Sequence, residues 1–302
     1  MKSYSFPVMG FFLLLFALSS CSKFQQIRRN PNLRVQLEAA HKYYQSRDYY
    51  KAALLFQDLI PIYRGRPEAQ DMQFAFAYCH YHEKDFTLAS HYFKTYFDTY
   101  RRSERAEEAL YRSAEALCFN APDPHLDQQS TKDAIQALQG FINLFPQSEY
   151  MQRAVSLLNE QQKKLEQKAF DAAKLYEKVG MYAAAIIAFE NFENDYPDSE
   201  LRPEAHYLAV KSAYAYANGS ALHKQEERFR NTIERCQNFV DKYPEHPYAR
   251  DADNLHNNSQ QQLNRLSKLK AQIEEERKQA EERERKRRES LEQREQEATL
   301  QQ

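Results

Sequence analysis

One pattern of small and aromatic residues, repeated five times along the chain, constrains the fold more than any other feature. Each copy begins with a small residue and continues with larger apolar or aromatic residues four, seven and eleven positions later. The five copies are Ala52, Phe56, Leu59, Tyr63; Ala89, Phe93, Tyr96, Tyr100; Ala134, Leu138, Phe141, Phe145; Ala185, Phe189, Phe192, Tyr196; and Thr232, Cys236, Phe239, Tyr243. Steps of four, three and four place these side chains on one face of an α-helix. The pattern therefore predicts five amphipathic helices that pack through the same face.

A second helix is predicted before these helices, because small and larger residues recur twelve and nine positions upstream of the pattern. These pairs are Ala40 with Tyr43, Ala77 with His80, and Ala173 with Tyr176. Short turns at residues 46–48, 83–85 and 178–180 separate the two helices of each pair. A proline that ends the helix follows the last aromatic residue in three copies, at Pro146, Pro197 and Pro244. The sequence therefore predicts an all-α fold that resembles a solenoid of about five tetratricopeptide (TPR) repeats.

Composition argues against several classes of function. The chain has 302 residues but only five glycines, and it contains no P-loop, G-x-S-x-G or G-x-G-x-x-G motif. Its formal net charge of −1 gives no general electrostatic basis for binding nucleic acid. His80, His82 and His91 do not have the spacing of an H-E-x-x-H zinc site. We therefore expect no enzyme activity, no cofactor, no metal site and no nucleic-acid partner.

The N-terminus has the pattern of a secretory signal. The apolar run at residues 6–18 is shorter than the roughly 20 residues that cross a bilayer, and it follows Lys2 as a modest positive flank. Residues 18–21, Leu-Ser-Ser-Cys, resemble the lipobox of bacterial lipoproteins. This predicts lipidation of Cys21 and outer-membrane delivery, with which Ser22 is compatible. The alternative is an ordinary signal peptide with a chance cysteine.

The remaining cysteines do not form a disulfide framework in the sequence. Cys79, Cys118 and Cys236 are widely spaced, odd in number and placed in apolar helical stretches. We expect them to be small buried side chains. A pair between two of them, or a redox role, is the alternative.

Together these features resemble the BamD family of outer-membrane protein assembly lipoproteins. The resemblance rests on the lipobox, the short linker, the five TPR-like pairs ending in aromatic-proline, and insertions at residues 120–131 and 218–227 in the third and fifth repeats. It spans Cys21 to about Ser259. It implies a lipid-anchored protein on the periplasmic face of the outer membrane. Its C-terminal repeats would bind the periplasmic domains of a BamA-like barrel subunit, and its N-terminal repeats would recognise unfolded outer-membrane proteins. Other assembly lipoproteins are further expected partners.

Two sets of residues are candidates for these contacts. For an extended peptide that ends in an aromatic residue and a carboxylate, the candidate groove residues are Tyr43, Tyr44, Arg47, Tyr50, Tyr78, Tyr81 and His82. The candidates for the BamA-like partner are Tyr214, Tyr216, Arg228 and Arg230, which flank the second insertion. As alternatives, Tyr43 and Tyr78 belong to the core, and Arg47 is a solvated turn residue.

The C-terminal tail has a different composition from the repeats. Between Lys268 and Glu297 it carries ten basic and ten acidic residues, with favourable i, i+4 pairs that start at Glu274, Glu281, Glu282 and Glu284. A solvated, partly frayed helix is expected, and a partner-binding helix is the alternative.

The expected domains follow from these boundaries. They are a signal peptide (residues 1–20), a lipidated linker (21–34), the solenoid (35–259) and the charged tail (260–302). A periplasmic TPR adaptor lipoprotein in cell-envelope or division processes is the alternative to a barrel-assembly factor. The step from a TPR-like fold to either function is an analogy.

Overall fold

The computed structural model describes residues 23–300 of the chain, and the side chains as far as residue 290. The region before residue 23, including Cys21 and the predicted signal peptide, lies outside the described residues. Every regular element of the described part is an α-helix, and residues 23–28 are also helical. The later helices are α1 (Leu33–Gln45), α2 (Tyr49–Leu59), α3 (Glu68–His82), α4 (Phe86–Thr99), α5 (Ala106–Asn120), α6 (Gln129–Leu144), α7 (Met151–Lys178), α8 (Tyr182–Asp195), α9 (Arg202–Asn218), α10 (Leu222–Lys242) and α11 (Ala249–Leu300).

The helices fall into two compact units, Met1–Leu165 and Glu166–Gln302, called unit 1 and unit 2. In unit 1, consecutive helices from α1 to α6 pack against each other. In unit 2, α8, α9, α10 and α11 pack in the same consecutive manner, and α9 also contacts α11. The boundary lies within α7, whose second half belongs to unit 2. The predicted solenoid, residues 35–259, includes helices of both units.

The repeated pattern forms the core of both units. In all five copies the first three positions are buried, from Ala52, Phe56 and Leu59 in the first copy to Thr232, Cys236 and Phe239 in the last. The small first residue lets the preceding helix approach closely, and the aromatic residues fill the space between helices. Each fully buried Phe contributes about 1.5–3 kcal/mol through removal of apolar surface from water. The predicted all-α fold and its packing face are confirmed.

The three described cysteines are free and buried, as the sequence predicted. Burial raises the pKa of each thiol to about 12, so Cys79, Cys118 and Cys236 remain protonated and behave as small apolar side chains. Among the described helices, none combines the length and the apolarity that a membrane span needs.

Two pairs of helices, one in each unit, match each other. Helix α4 and helix α8 have the same length and begin 96 residues apart, at Phe86 and Tyr182. The register continues into α5 and α9, where Tyr111 corresponds to Tyr207. Each of these tyrosines stacks on a second tyrosine that directly precedes a later helix, α7 in unit 1 and α11 in unit 2. The ring centroids of Tyr111 and Tyr150 are 4.6 Å apart, and those of Tyr207 and Tyr248 are 4.4 Å apart. Equivalent positions of the two units can therefore be compared directly.

Helix α11 begins well before the predicted tail. Leu263 and Leu266 pack with Phe229 of α10, and Lys270 forms an ion pair with Glu226. The first part of the predicted tail is therefore part of the unit 2 core. Residues 271–290 are exposed on all sides of the helix.

The exposed part of α11 is supported by i, i+4 ion pairs. Two of the predicted pairs are present, with Glu282 on Lys286 at 2.9 Å and Glu284 on Arg288 at 3.1 Å. Glu281 pairs instead with Arg277, four residues before it and not after it. Such pairs stabilise an isolated helix only slightly each, so the helix depends on many of them.

Candidate functional site

The seven predicted groove residues lie in unit 1, on helices α1 to α3 and on the turn at Arg47. The structure brings four of them together and leaves three apart. Tyr44, Tyr78, Tyr81 and His82 belong to one cluster of rings and charges, called here the tyrosine cluster. The ring of Tyr43 packs instead against Phe24 at 5.7 Å, with the Lys51 ammonium 5.4 Å from its centre.

Tyr50 and Arg47 are the other two residues outside the cluster. Tyr50 is 64% exposed. Arg47 is exposed on the α1–α2 turn, with a left-handed backbone at φ 62°. This backbone conformation is uncommon in residues other than glycine, and here it is required by the tight turn between the two helices. The guanidinium of Arg47 therefore extends from the edge of the cluster into solvent.

Stacked rings connect α1 to α3. Tyr44 contacts Tyr49 edge-on at 5.7 Å, and Tyr49 stacks on His82 at 4.3 Å with an interplanar angle of 17°. His82 in turn stacks on Tyr78 at 5.7 Å. Offset and edge-on ring pairs of this kind add about 0.5–1.5 kcal/mol each to the burial of their surface. Because the rings are half-buried or exposed, their free faces and edges offer stacking positions to an extended peptide.

Arg112 of α5 is the centre of the cluster. Its Nε donates to the hydroxyl oxygen of Tyr78 at 3.1 Å, and its Nη1 donates to Glu115 at 2.6 Å. The guanidinium carbon lies 5.4–6.0 Å from the ring centres of four tyrosines, within the range of cation–π attraction. These tyrosines are Tyr78, Tyr81, Tyr111 and Tyr150.

Glu115 is a carboxylate with no exposed surface. The hydroxyls of Tyr81 and Tyr111 donate to it at 2.7 and 2.8 Å, and Arg153 forms an ion pair with it at 3.2 Å. Burial alone would raise the pKa of Glu115, but the hydrogen bonds from Tyr81, Tyr111 and Arg112 outweigh it and hold the pKa below its ordinary value. The side chain is therefore a buried anion whose acceptor positions are occupied.

The tyrosines of the cluster remain protonated over a wide pH range. Burial, together with the hydrogen bond to Glu115, raises the pKa of Tyr81 to about 12. Burial also raises the pKa of Tyr44 to about 12. Tyr78 donates to Glu108, and burial together with that bond raises its pKa well above the ordinary value. The cluster consequently presents neutral phenols next to one buried ion pair.

His82 lies between two cations. Burial lowers the pKa of its imidazole, and the positive charges of Arg112 and Arg47 lower it further. The imidazole is therefore neutral near pH 7, and its surroundings have a positive potential. A carboxylate placed beside this ring would be attracted by both guanidinium groups.

Sequence reasoning missed the residues that hold the cluster together, namely Tyr49, Arg112, Glu115 and Tyr150. The repeat length contains a signal that could have found two of them. Arg112 bonds to Tyr78, and Glu115 bonds to Tyr81, and in both pairs the partners are 34 residues apart. This separation is close to the typical TPR period, because the contacts join α3 to α5, the first helices of successive repeats.

The four residues predicted to bind the BamA-like partner lie in unit 2, but they do not form one surface. Tyr214 packs on Phe229, with ring centroids 5.9 Å apart, and contributes to the core. The guanidinium of Arg228 lies 3.8 Å from the ring centre of Tyr216. Arg230 pairs with Glu226 at 2.9 Å. Tyr216 and Arg228 therefore act as one stacked pair, and Arg230 belongs to a separate ionic group between α10 and α11.

Metal binding has no structural basis in the described residues. Nowhere between residues 23 and 290 do three or more His, Cys, Asp or Glu side chains come together in a group that could hold an ion.

Comparisons with known proteins give the family. The model of the YfiO family, described as outer membrane lipoprotein, matches residues 34–205 and 187–279. A protein of Aquifex aeolicus (strain VF5) assigned as outer membrane protein assembly factor BamD is 23% identical over 234 residues, which cover 76% of this chain and 73% of that protein. The TPR2AB domain of yeast Sti1, from a complex with pHSP90, is 12% identical, with a TM-score of 0.36 over 76% of this chain and 98% of that chain. The resemblance seen in the sequence is confirmed, and the chain belongs to the YfiO family of outer membrane lipoproteins.

Proposed function

We propose that this protein is a lipid-anchored scaffold and substrate receptor for the assembly of outer-membrane β-barrel proteins. Its family and the assigned role of the Aquifex aeolicus relative support this role. In the proposal, Cys21 carries the lipid and the folded chain faces the periplasm from the outer membrane. The role requires binding surfaces only, with neither catalysis nor a cofactor.

The tyrosine cluster of unit 1 is the proposed receptor site. Its ligand is the C-terminal segment of an unfolded barrel protein, which ends in an aromatic side chain and a carboxylate. The ring would stack on the run Tyr49, His82 and Tyr78, and the carboxylate would lie in the positive field of Arg47 and Arg112. The observation that carries the proposal is the continuous stack from α2 to α3, because it combines apolar ring faces with positive charge at one edge.

A second surface, in unit 2, is the proposed contact for the BamA-like barrel subunit. Arg228 is the strongest candidate, because it is held over the ring of Tyr216 and also donates to Ser220. Because the guanidinium is already held in place, it loses little further conformational entropy when it binds a carboxylate of a partner. Other assembly lipoproteins remain further proposed partners.

Peptide binding tests the receptor site. The full-length protein in mild detergent is titrated with a fluorescent peptide that ends in phenylalanine, as the free acid and as the C-terminal amide. We expect the C-terminal amide to bind more weakly than the free acid. We expect Arg47→Gln to lower the affinity for the free acid by about 5-fold, because one exposed charge contact is lost. Tyr50→Ala is the control, since Tyr50 lies on α2 but outside the cluster. Equal affinity for acid and amide would contradict the proposed carboxylate site.

Isolation of the protein from its native membranes tests the scaffold role. The tagged chain is recovered in mild detergent beside a chain that lacks residues 196–302 and beside the point variant Arg228→Glu. We expect the full chain to retrieve a large outer-membrane barrel with periplasmic domains, and both altered chains to lose it. Recovery of cell-wall synthesis or division proteins without a barrel would favour the adaptor alternative.

A further inference from the structure

Three hairpin turns of the protein have the same backbone geometry. They join α1 to α2, α3 to α4, and α7 to α8. In the last of these, the amides of Val179, Gly180 and Met181 donate to the carbonyls of Leu175, Glu177 and Tyr176 at 2.9–3.0 Å. The amides of residues 46–48 and 83–85 make the same three bonds in the other turns. The middle residue has a positive φ in all three turns, 62°, 61° and 78°.

The chemistry of the third turn differs from that of the other two. Asp48 and Asp85 occupy the last position of their turns, and each accepts a hydrogen bond from an amide of the helix that follows. Met181 occupies the same position before α8 and makes no side-chain cap bond. Aspartate is strongly preferred at this position and methionine is not. The α7–α8 turn therefore lacks a stabilising cap and has an exposed apolar side chain at this position.

Four large apolar side chains are exposed at this turn. Leu175, Val179 and Met181 are 58%, 59% and 55% exposed, and Tyr176 is 41% exposed. Val179 directly follows the last residue of α7, and its amide donates to the carbonyl of Leu175, so the two side chains lie one helical turn apart on the same face. The backbone bond between Tyr176 and Met181 brings the other two residues together. The position of Val179 is occupied by Ser46 and Glu83 in the other turns. Isolated exposed apolar residues are ordinary, but four within seven residues indicate a contact surface.

Three lysines lie in or near this apolar turn. Lys178 is exposed within it and takes part in no ion pair of the described residues. Lys174 and Lys211 lie nearby, paired with Glu204 at 3.6 Å and with Glu177 at 2.8 Å. Three lysines against two glutamates leave a net positive charge. Apolar side chains on a turn, with a tyrosine and lysines around them, match the chemistry of the boundary between acyl chains and anionic headgroups.

We propose that the α7–α8 turn is a membrane-contact site. Leu175, Val179 and Met181 enter the outer part of the acyl layer, Tyr176 lies at its boundary, and Lys178 meets phosphate groups of anionic phospholipid. Membership of a lipoprotein family provides the second reason, because a tether raises the effective concentration of lipid at the turn. The site is independent of the proposed peptide receptor.

Depth measurement tests this site in the full-length lipidated protein. The protein is reconstituted in vesicles of phosphatidylethanolamine with phosphatidylglycerol, and an environment-sensitive fluorophore is attached at Val179→Cys. Ser46→Cys, the same position of the α1–α2 turn, is the matched control. The native cysteines at 79, 118 and 236 are buried and do not compete for the label. We expect a blue shift and about twofold quenching by brominated lipid at residue 179 only. Equal quenching at both positions, or at neither, would overturn the proposal.

Two further measurements separate lipid from other occupants. Met181→Asp introduces the cap of the other turns, so it preserves folding, and it should reduce the quenching at residue 179. Replacement of phosphatidylglycerol by phosphatidylcholine should reduce it as well, since Lys178 loses its anionic partner. A blue shift without vesicles that rises with protein concentration would show contact between copies of the chain and overturn the lipid assignment.

Discussion

Glu115 in unit 1 has no exposed surface, whereas Lys211, at the equivalent position of unit 2, is 53% exposed. Both positions lie four residues after the tyrosine of a stacked pair, Tyr111 in unit 1 and Tyr207 in unit 2. The partner from the preceding repeat has also changed. Tyr81 donates to Glu115 in unit 1, and Glu177, 96 residues after Tyr81, accepts from Lys211 at 2.8 Å in unit 2. The same aromatic frame therefore supports a buried anion in one unit and a solvated ion pair in the other.

The difference shows where the repeat fold tolerates change. The aromatic positions carry the packing in both units, so the polar position between them is free to vary. In unit 1 that position has become a network in which Arg112 and two tyrosines depend on one carboxylate. A buried charge of this kind is strongly coupled to its partners, whereas an exposed pair contributes about 0–1 kcal/mol. Unit 1 is accordingly expected to be the more sensitive unit to polar substitution.

Removal of the buried carboxylate is the largest expected effect. Glu115→Ala leaves Arg112 and two tyrosine hydroxyls without their acceptor. We expect a loss of about 3 kcal/mol in the free energy of unfolding, the lower end of the range for a broken buried pair, because Arg112 is 21% exposed and regains some water. Lys211→Ala is the matched change in unit 2 and should cost at most about 1 kcal/mol. Urea unfolding followed by circular dichroism measures both, and equal losses would contradict the proposed contrast.

Acid should weaken unit 1 through the same residue. The pKa of Glu115 in the folded protein lies below the ordinary value of 4.5. Such a group contributes stability that is fully present above pH 4.5 and is lost as the pH falls through the folded pKa. The difference in unfolding free energy between the native protein and Glu115→Gln should therefore stay constant from neutral pH down to about pH 5 and shrink as the pH falls below 4.5. A difference that stays constant as the acid transition is crossed below pH 4.5 would show that Glu115 does not titrate as a stabilising anion.

The sequence predicts the frame of the fold better than its polar contacts. The face formed by Ala89, Phe93 and Tyr96 follows from helical periodicity alone, because any helix with this spacing must bury that face. Arg112 and Glu115 could not be recognised in this way, since charged residues on a helix are usually solvated. Their role depends on a tyrosine of the preceding repeat, one period away in the sequence. Periodicity within one helix cannot predict contacts between helices of successive repeats, whereas the repeat length can indicate them.

Candidate site residues were harder to place for a related reason. The sequence offers Tyr44 and Tyr214 equally as aromatic candidates for contact with a partner. In the structure Tyr44 joins the stacked rings, and Tyr214 packs on Phe229 in the core. Both tyrosines lie on helices, and whether each one is part of the stacked rings or of the core depends on the helix that packs against it. That neighbour is set by tertiary structure, which a single helix does not encode.

The smallest expected effect concerns the turns, where unit 1 is capped and unit 2 is not. Asp85→Ala removes the bond to the Leu88 amide, 3.2 Å long, and should cost about 1 kcal/mol, while Asp85→Asn should retain most of it. Met181→Asp should change stability in the opposite direction, with a gain of about 1 kcal/mol, because the backbone already has the geometry of a capped turn and a negative charge suits a helix N-terminus. Urea unfolding of the three variants measures these differences. A loss of stability in Met181→Asp would mean that Met181 contributes packing that its exposure does not reveal, and the contrast between the turns would then be one of structure and not of function.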